Sequence, residues 1–286
     1  MEKLPKISII TPTLNAGETI EACILSVKNQ TYSNKEHLII DGQSTDGTLE
    51  IIRKHANNYS QLKWISEKDG GIYDAMNKGI DLSSGDWLYF LGSDDVFYSN
   101  TILSDIFYRV EVAKFDVIYG NVTWGDMGQL YDGPFSKGKL LQKNICHQAI
   151  FTKKTVFDKV GKFYLKYKIL ADWVFNMQWF NNEDIRHCYI DITIAKYCLD
   201  GSSANKFDIA FIADKDALIE TYFPGSYSFF QKELNNKEHK IAELQHILTK
   251  MIKSRSWQIA RPLRQLGDII GKCCNILGNW GRPKSE

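Results

Sequence analysis

The chain has 286 residues, 44% of them apolar, enough to bury one substantial core and a smaller appendage. Its net charge of +1 is uneven: Lys250 to Glu286 carries eight Lys or Arg against two acids, a net of +6, which leaves −5 for residues 1–249. The six cysteines form no CxxC pair and no Cys/His zinc pattern, no secretory leader opens the chain, and no run of about 18 apolar residues occurs, so the expected compartment is a reducing cytoplasm and a classical membrane span is not expected.

In chain order, Lys6–Thr11 is a short apolar, β-branched run of the kind buried on both faces of a parallel sheet. Residues 18–30 follow as a helix with Ile20, Ile24 and Val27 on one face, then a strand at His37–Asp41. Ser44 and Thr45 can cap a helix carrying Leu49, Ile51 and Ile52. A third strand is expected near Leu62–Ser66, a helix near Ile72–Leu82, a fourth strand at Trp87–Leu91 and a helix near Thr101–Val110. Alternation at this spacing predicts βαβ units and an α/β fold built on a mostly parallel sheet flanked by helices.

Ligands of such sheets bind beyond the carboxyl ends of the strands. Three polar clusters stand there: Thr11-Pro12-Thr13-Leu14-Asn15, Asp41 to Gly47, and Ser93-Asp94-Asp95. Each taken alone reads equally as an ordinary turn or cap; three at one sheet edge read as a site.

The runs ISIITPTLNAGETIEACILSVKNQTY, IIDGQSTDGT, EKDGGIYDAMNKGI and GDWLYFLGSDD resemble glycosyltransferase family 2 in order and spacing, over about residues 5–205. The resemblance implies a Rossmann-like GT-A fold, with a nucleotide-binding half at about 1–115 and an acceptor-binding half at 116–225. It implies an inverting transfer of a sugar from a nucleotide sugar, with UDP the expected nucleotide. Thr11, Pro12, Asn15, Asp41, Asp69 and Asp94 are then expected at the nucleotide, and Asp95 on a Mn2+ or Mg2+ ion. A hard divalent cation bridging phosphate oxygens suits a departing diphosphate, and one protein carboxylate can suffice when substrate and water complete the shell.

Asp172, in Lys168-Ile169-Leu170-Ala171-Asp172-Trp173, resembles the family's acidic base segment, although Ala171 replaces the acid expected before it. Asp172 could also cap a helix at Trp173–Phe180, and Trp173 could exclude water from its carboxylate. His147 and Gln148 resemble the family's HQ element, facing donor or acceptor. Ser202, after the apolar run Ile192–Leu199, could belong to a loop closing over the diphosphate, with charge from Lys206.

Residues 226–286 read as a helical extension. Leu234, Ile241, Leu244, Leu248 and Met251 approximate a heptad seam, which either packs on the catalytic domain or pairs two chains as a homodimer. The segment Ser256-Trp257-Gln258-Ile259-Ala260-Arg261-Pro262-Leu263-Arg264 resembles one that follows the catalytic domain in bacterial members of the family. Beyond it, Leu266, Ile269, Ile270, Cys273, Ile276, Leu277 and Trp280 recur at helical spacing in a net-basic stretch. That pattern suits the anionic inner face of a membrane better than nucleic acid, whose phosphate track asks for no regular apolar stripe. Membrane attachment would suit a polyprenyl-diphosphate-linked saccharide acceptor, as in O-antigen, capsule or exopolysaccharide assembly. A processive synthase is disfavoured by the missing spans, and a pyrophosphorylase by TPTLNAG in place of a Gly-rich, Arg-containing loop. The non-enzyme alternative is an inactive family member acting as a scaffold.

Overall fold

The structure, a computed structural model, describes residues 4–108, 110–124, 128–131, 133–198 and 207–253. The chain separates into two compact units, Met1–Tyr227 and Ser228–Glu286. In the first, the strands β1 (Ile7–Thr13), β2 (Lys35–Asp41), β3 (Leu62–Ser66) and β4 (Trp87–Phe90) alternate with helices α1 (Ile20–Lys28), α2 (Thr48–Ala56) and α3 (Ile72–Leu82). All three pairings among these strands are parallel, in the order β3-β2-β1-β4. The apolar runs dictate this half: every residue of β1, β2 and β4 is buried, as crossover helices require of a parallel sheet.

Past β4 the sheet turns mixed. It continues through β8 (Ile150–Lys153), β6 (Val117–Trp124), β9 (His187–Tyr197) and β5 (Val96–Phe97), with β7 (Gln129–Tyr131) beside β6. β8 runs antiparallel to both β4 and β6, β7 antiparallel to β6 and β5 antiparallel to β9, while β6 and β9 are parallel. Parallel neighbours need long crossovers. The four residues between Trp124 and Gln129 cannot supply one, so β7 returns antiparallel beside β6, and the parallel pairing expected from sequence is joined in the second half by antiparallel strands. Helices α4 (Ile102–Phe107), α5 (Lys137–Gln142), α6 (Lys154–Val160), α7 (Ala171–Phe180) and α8 (Ile209–Tyr222) flank this second half.

Two packing details position the site. Gly79 of α3 lies so close to β1 that a Cβ there would stand 2.3 Å from Cγ2 of Ile10, so glycine lets the helix lie flat on the sheet. On the same helix Tyr73 and Asn77, four residues apart and therefore on one face, meet the segment before α7. Asn77 bonds both the N–H and the carbonyl of Phe163, and the Tyr73 ring packs against the Phe163 ring.

Some expected details differ. The second helix is capped by Gly47 in a left-handed conformation (φ 94°), while Ser44 bonds Asp41 and the Asn15 N–H. Ile52 is buried, whereas Leu49 and Ile51 are half-buried. In the second unit, α9 (Ser226–Lys253) exposes Ile241 and Leu244. The side chains of Leu234, Leu248 and Met251, and everything from 254 to 286, lie outside the described residues. No helix among the described residues is long and apolar enough to cross a membrane.

At the amino ends of the strands, opposite the site, Glu36 is 2% exposed and accepts bonds from Ser8, Ser84, Lys6 and Lys63. Burial pushes its carboxyl up, but these donors outweigh burial and hold it at about 2. A carboxyl depressed by folding adds stability above its unfolded range, near 4.5, and loses it as pH falls towards 2. Urea unfolding between those pH values is expected to show this loss in the wild type and a flatter dependence in Glu36→Gln.

Candidate active site

The first part of the site is the end of β1 and β2. Asp41 is fully buried, and its carboxylate accepts the N–H groups of Gln43 and Ser44 (3.0 and 3.1 Å) and the hydroxyls of Ser44 and Ser66. Asn15, at φ 50°, accepts the Thr45 N–H on its side-chain oxygen (2.9 Å) and donates its own N–H to Ser44 (2.7 Å). Asp46 and Thr48 add bonds to the Gly17 and Ala16 N–H groups, so the two loops are stitched into one rim. Asp69 arrives from beyond β3. It accepts the Gly71 N–H, and its Oδ2 would lie 2.6 Å from a Cβ on Gly42. Asn15, Asp41 and Asp69 thus come together.

Thr11 and Pro12 do not join them. Both are buried in β1; the Thr11 hydroxyl lies 2.9 Å from Nε2 of His37, near the Cys23 thiol. Burial drives the His37 ring down to about 3, so a neutral ring partners Thr11 inside the core. Thr11 and Pro12 thus sit inside the sheet, on the strand that leads into the rim.

The second part follows β4. Leu91 continues the ladder with β1, and a turn at Gly92–Asp95 leads straight into β5, so the aspartates cap no helix. Asp95 is 1% exposed; its Oδ2 accepts the Gln148 amide (2.7 Å) and its Oδ1 the Cys198 N–H (3.0 Å). Burial, then the neighbouring charge of Asp94, push its carboxyl up to about 6 against those two bonds. A Cβ on Gly92 would fall 2.5 Å from Oδ2 of Asp95 and 2.9 Å from Oδ1 of Asp94. Two carboxylate oxygens of like charge therefore border one small space that glycine leaves open, the arrangement a divalent cation neutralises. No third His, Cys, Asp or Glu gathers with them among the described residues, so further ligands would have to be phosphate oxygens and water.

The third part is Asp172. Helix α7 begins at Ala171 with Leu170 as its cap, so Asp172 lies within the first turn and the capping reading is corrected. The carboxylate is nearly buried. Its Oδ1 accepts the Trp173 N–H (2.8 Å) and lies 2.9 Å from the Tyr73 hydroxyl, while Nδ1 of His147 stands 3.3 Å from Oδ2. The Trp173 ring stacks on Phe211 and its N–H bonds the Leu140 carbonyl, so the tryptophan ties α7 to α8 and α5.

A three-residue 3-10 turn, His147–Ala149, joins the second part to the third: His147 reaches Asp172 and Gln148 reaches Asp95. It is held from both sides. Tyr89 of β4 donates to the Gln148 carbonyl, and Asn176 of α7 donates to the Ile145 carbonyl. Tyr73 and Ser66 were not singled out from sequence, and Ser44, expected as a helix cap, instead bonds Asp41. Ser202 and Lys206 lie outside the described residues.

With fold and site in view, the comparisons fall into one class. The profile described as Glycosyl transferase family 2 matches residues 8–173. The chain belongs to that family and is a glycosyltransferase with a GT-A fold. A PGL/p-HBAD biosynthesis glycosyltransferase of Mycobacterium bovis (BCG) is 38% identical over 217 residues, 75% of this chain and 83% of the relative. Among solved structures, S. aureus TarS 1-349 with UDP-GlcNAc is similar at a TM-score of 0.61 and 20% identity, covering 78% of this chain and 73% of that one. The chain spans 42% of a longer TarS structure. The mannosyltransferase PcManGT of Pyrobaculum calidifontis, with GDP-Man and Mn2+, is similar at a TM-score of 0.59 and 13% identity, covering 90% and 83%.

Gly92→Ala places a methyl group where Asp94 and Asp95 converge, so the carboxylates must part. The expected result is a folded protein whose half-saturating Mn2+ concentration for activity rises at least about tenfold, equivalent to about 1.4 kcal/mol.

Proposed function

We propose that the chain is an inverting transferase moving a sugar from a nucleotide sugar, with UDP the favoured nucleotide, to a hydroxyl of a lipid-linked saccharide. The observation that carries this reading is the turn His147–Ala149, which ties a buried carboxylate suited to a cation, Asp95, to one suited to a proton, Asp172.

In this reading Asn15, Asp41 and Asp69 shape the rim that receives the nucleoside. Asp41, whose carboxylate already takes four bonds, fixes the loop. Asp95, with Asp94 beside it, would hold Mn2+ or Mg2+, which supplies positive charge to the leaving diphosphate. Asp172 takes the proton of the acceptor hydroxyl as its oxygen attacks the anomeric carbon opposite the diphosphate. The acceptor O–H electron pair forms the new C–O bond, and the pair of the old one leaves on the phosphate. His147 and Gln148 fix the two carboxylates relative to one another.

UDP is supported by the bound UDP-GlcNAc of TarS; the GDP-Man of PcManGT makes guanosine the second choice. A lipid-linked acceptor is supported by the basic, amphipathic pattern of 254–286 and by the relative's place in PGL/p-HBAD biosynthesis. Polyprenyl-diphosphate saccharides of O-antigen, capsule or exopolysaccharide assembly are the proposed acceptors, and the inner face of the cytoplasmic membrane the proposed location. The relative favours glycolipid glycosylation as a second reading. An inactive scaffold would have no use for two such carboxylates tied to one turn.

Asp172→Asn is expected to lower transfer to a synthetic GlcNAc-diphosphate-lipid by about 10² or more while leaving UDP-sugar binding intact; wild-type turnover would remove Asp172 from the mechanism. Chelation should abolish transfer in the wild type, and Mn2+ or Mg2+ should restore it. The full-length chain should float with anionic vesicles at low salt and leave them as salt rises, each basic residue adding roughly 1 kcal/mol at the surface. Protein that stays behind would exclude the membrane role.

A further inference from the structure

Tyr73 has no part in the reading above, yet it touches the base. It lies in the first turn of α3, 5% exposed, with its hydroxyl oxygen 2.5 Å from the Ile169 carbonyl and 2.9 Å from Oδ1 of Asp172. A phenol has one hydrogen, and neither neighbour has one to give while Asp172 is ionised. Both contacts therefore cannot be hydrogen bonds at once. Burial, then the charge of Asp172, push the phenol well above its usual range, so Tyr73 keeps its hydrogen throughout. Its hydroxyl has two settings, and the charge on Asp172 selects between them.

We propose that Tyr73 is a positioning residue for the base: its hydroxyl donates to Oδ1 of ionised Asp172, reserving Oδ2 for the acceptor's proton, and turns to the Ile169 carbonyl once that proton has arrived. This rests on Asp172 being the base. Oδ1 is already committed to the protein through the Trp173 N–H, and a donated phenol hydrogen fills it further. Among the described residues, Oδ2 has only His147 beside it, at 3.3 Å. When the acceptor O–H bond breaks, its hydrogen bonds to Oδ2 and its electron pair goes to the anomeric carbon. The neutral acid is then a weaker acceptor than a carboxylate or an amide carbonyl, so the hydrogen settles on Ile169.

The placement joins the two halves of the molecule. Tyr73 is four residues from Asp69, on the helix that follows the nucleotide rim, while Asp172 and Ile169 belong to the acceptor half. Asn77 docks the same helix face on Phe163 without touching the base. Other titratable groups near this pair are His147 and Cys146 from the turn region, Tyr197 from β9, and Asp208, the cap of α8. None of these four donates to Oδ1.

The test is a carboxyl-13C NMR titration of Asp172 in the full-length protein, its signal assigned by loss in Asp172→Asn. Tyr73→Phe is expected to move the midpoint up by about one pH unit, a tenfold change in proton affinity. Incorporating 3-fluorotyrosine at position 73, which keeps the hydroxyl and strengthens it as a donor, should move it down. Asn77→Ala should cost stability and leave the midpoint in place. With UDP-GlcNAc and the synthetic lipid acceptor, the kcat loss of Tyr73→Phe should be about tenfold on the acid limb and shrink towards alkaline pH, with the donor KM unchanged. Midpoints that do not respond to either change at Tyr73, or a kcat loss equal at all pH values, would overturn the proposal. Full turnover in Asp172→Asn would instead overturn the assignment of the base.

Discussion

The contact on which the site depends is the pair of side chains reaching out from one tight turn. Gln148 donates to Asp95 and His147 stands against Asp172, so two acidic groups from distant parts of the chain are set by consecutive residues. A carboxylate as buried as Asp95 is costly unless it is bonded or neutralised. The protein gives it two donors, yet its carboxyl remains raised because Asp94 adds charge of the same sign. That residual imbalance is what the cation proposed at Asp95 would neutralise, and the turn links Asp95 to Asp172.

The two halves of the sheet divide this work. The parallel half places loop after loop at one edge, where Asn15, Asp41 and Asp69 meet, and the close approach of Gly79 to Ile10 keeps α3 flat on β1. The mixed half brings β8 antiparallel to β4, so the turn that begins β8 falls beside the end of β4 where the aspartates stand. Tyr89 and Asn176 anchor that turn from a strand and a helix, which leaves it little freedom. Helix α3 then bridges the halves through Tyr73 and Asn77.

The parallel half was legible in the sequence because each buried strand is a short β-branched run and each helix carries a 3.6-residue period. Ile20, Ile24 and Val27 are buried as the period requires. Asp41, Asp94 and Asp95 stood out because they follow apolar strands at the sheet edge, whereas Asp69 was named only through the family resemblance. Thr11 and Pro12 stand in the same motif, on a strand that runs on to Thr13 and encloses them. The mixed half was less legible: its pairings are non-local and mix parallel with antiparallel, and nothing in the residues from 110 to 150 fixes which strand β8 joins. Tyr73 went unnoticed as a partner of Asp172 because the two are 99 residues apart and only the docking of α3 brings them together.

The central claim is that the cation proposed at Asp95 and the base proposed at Asp172 share one site. Paramagnetic broadening of the Asp172 carboxyl-13C signal by Mn2+ in the presence of UDP reads that proximity directly. The account predicts strong broadening in the wild type and its loss in Asp95→Asn. An Asp172 signal left sharp when Mn2+ and UDP are bound, or broadened equally in the variant, would contradict it.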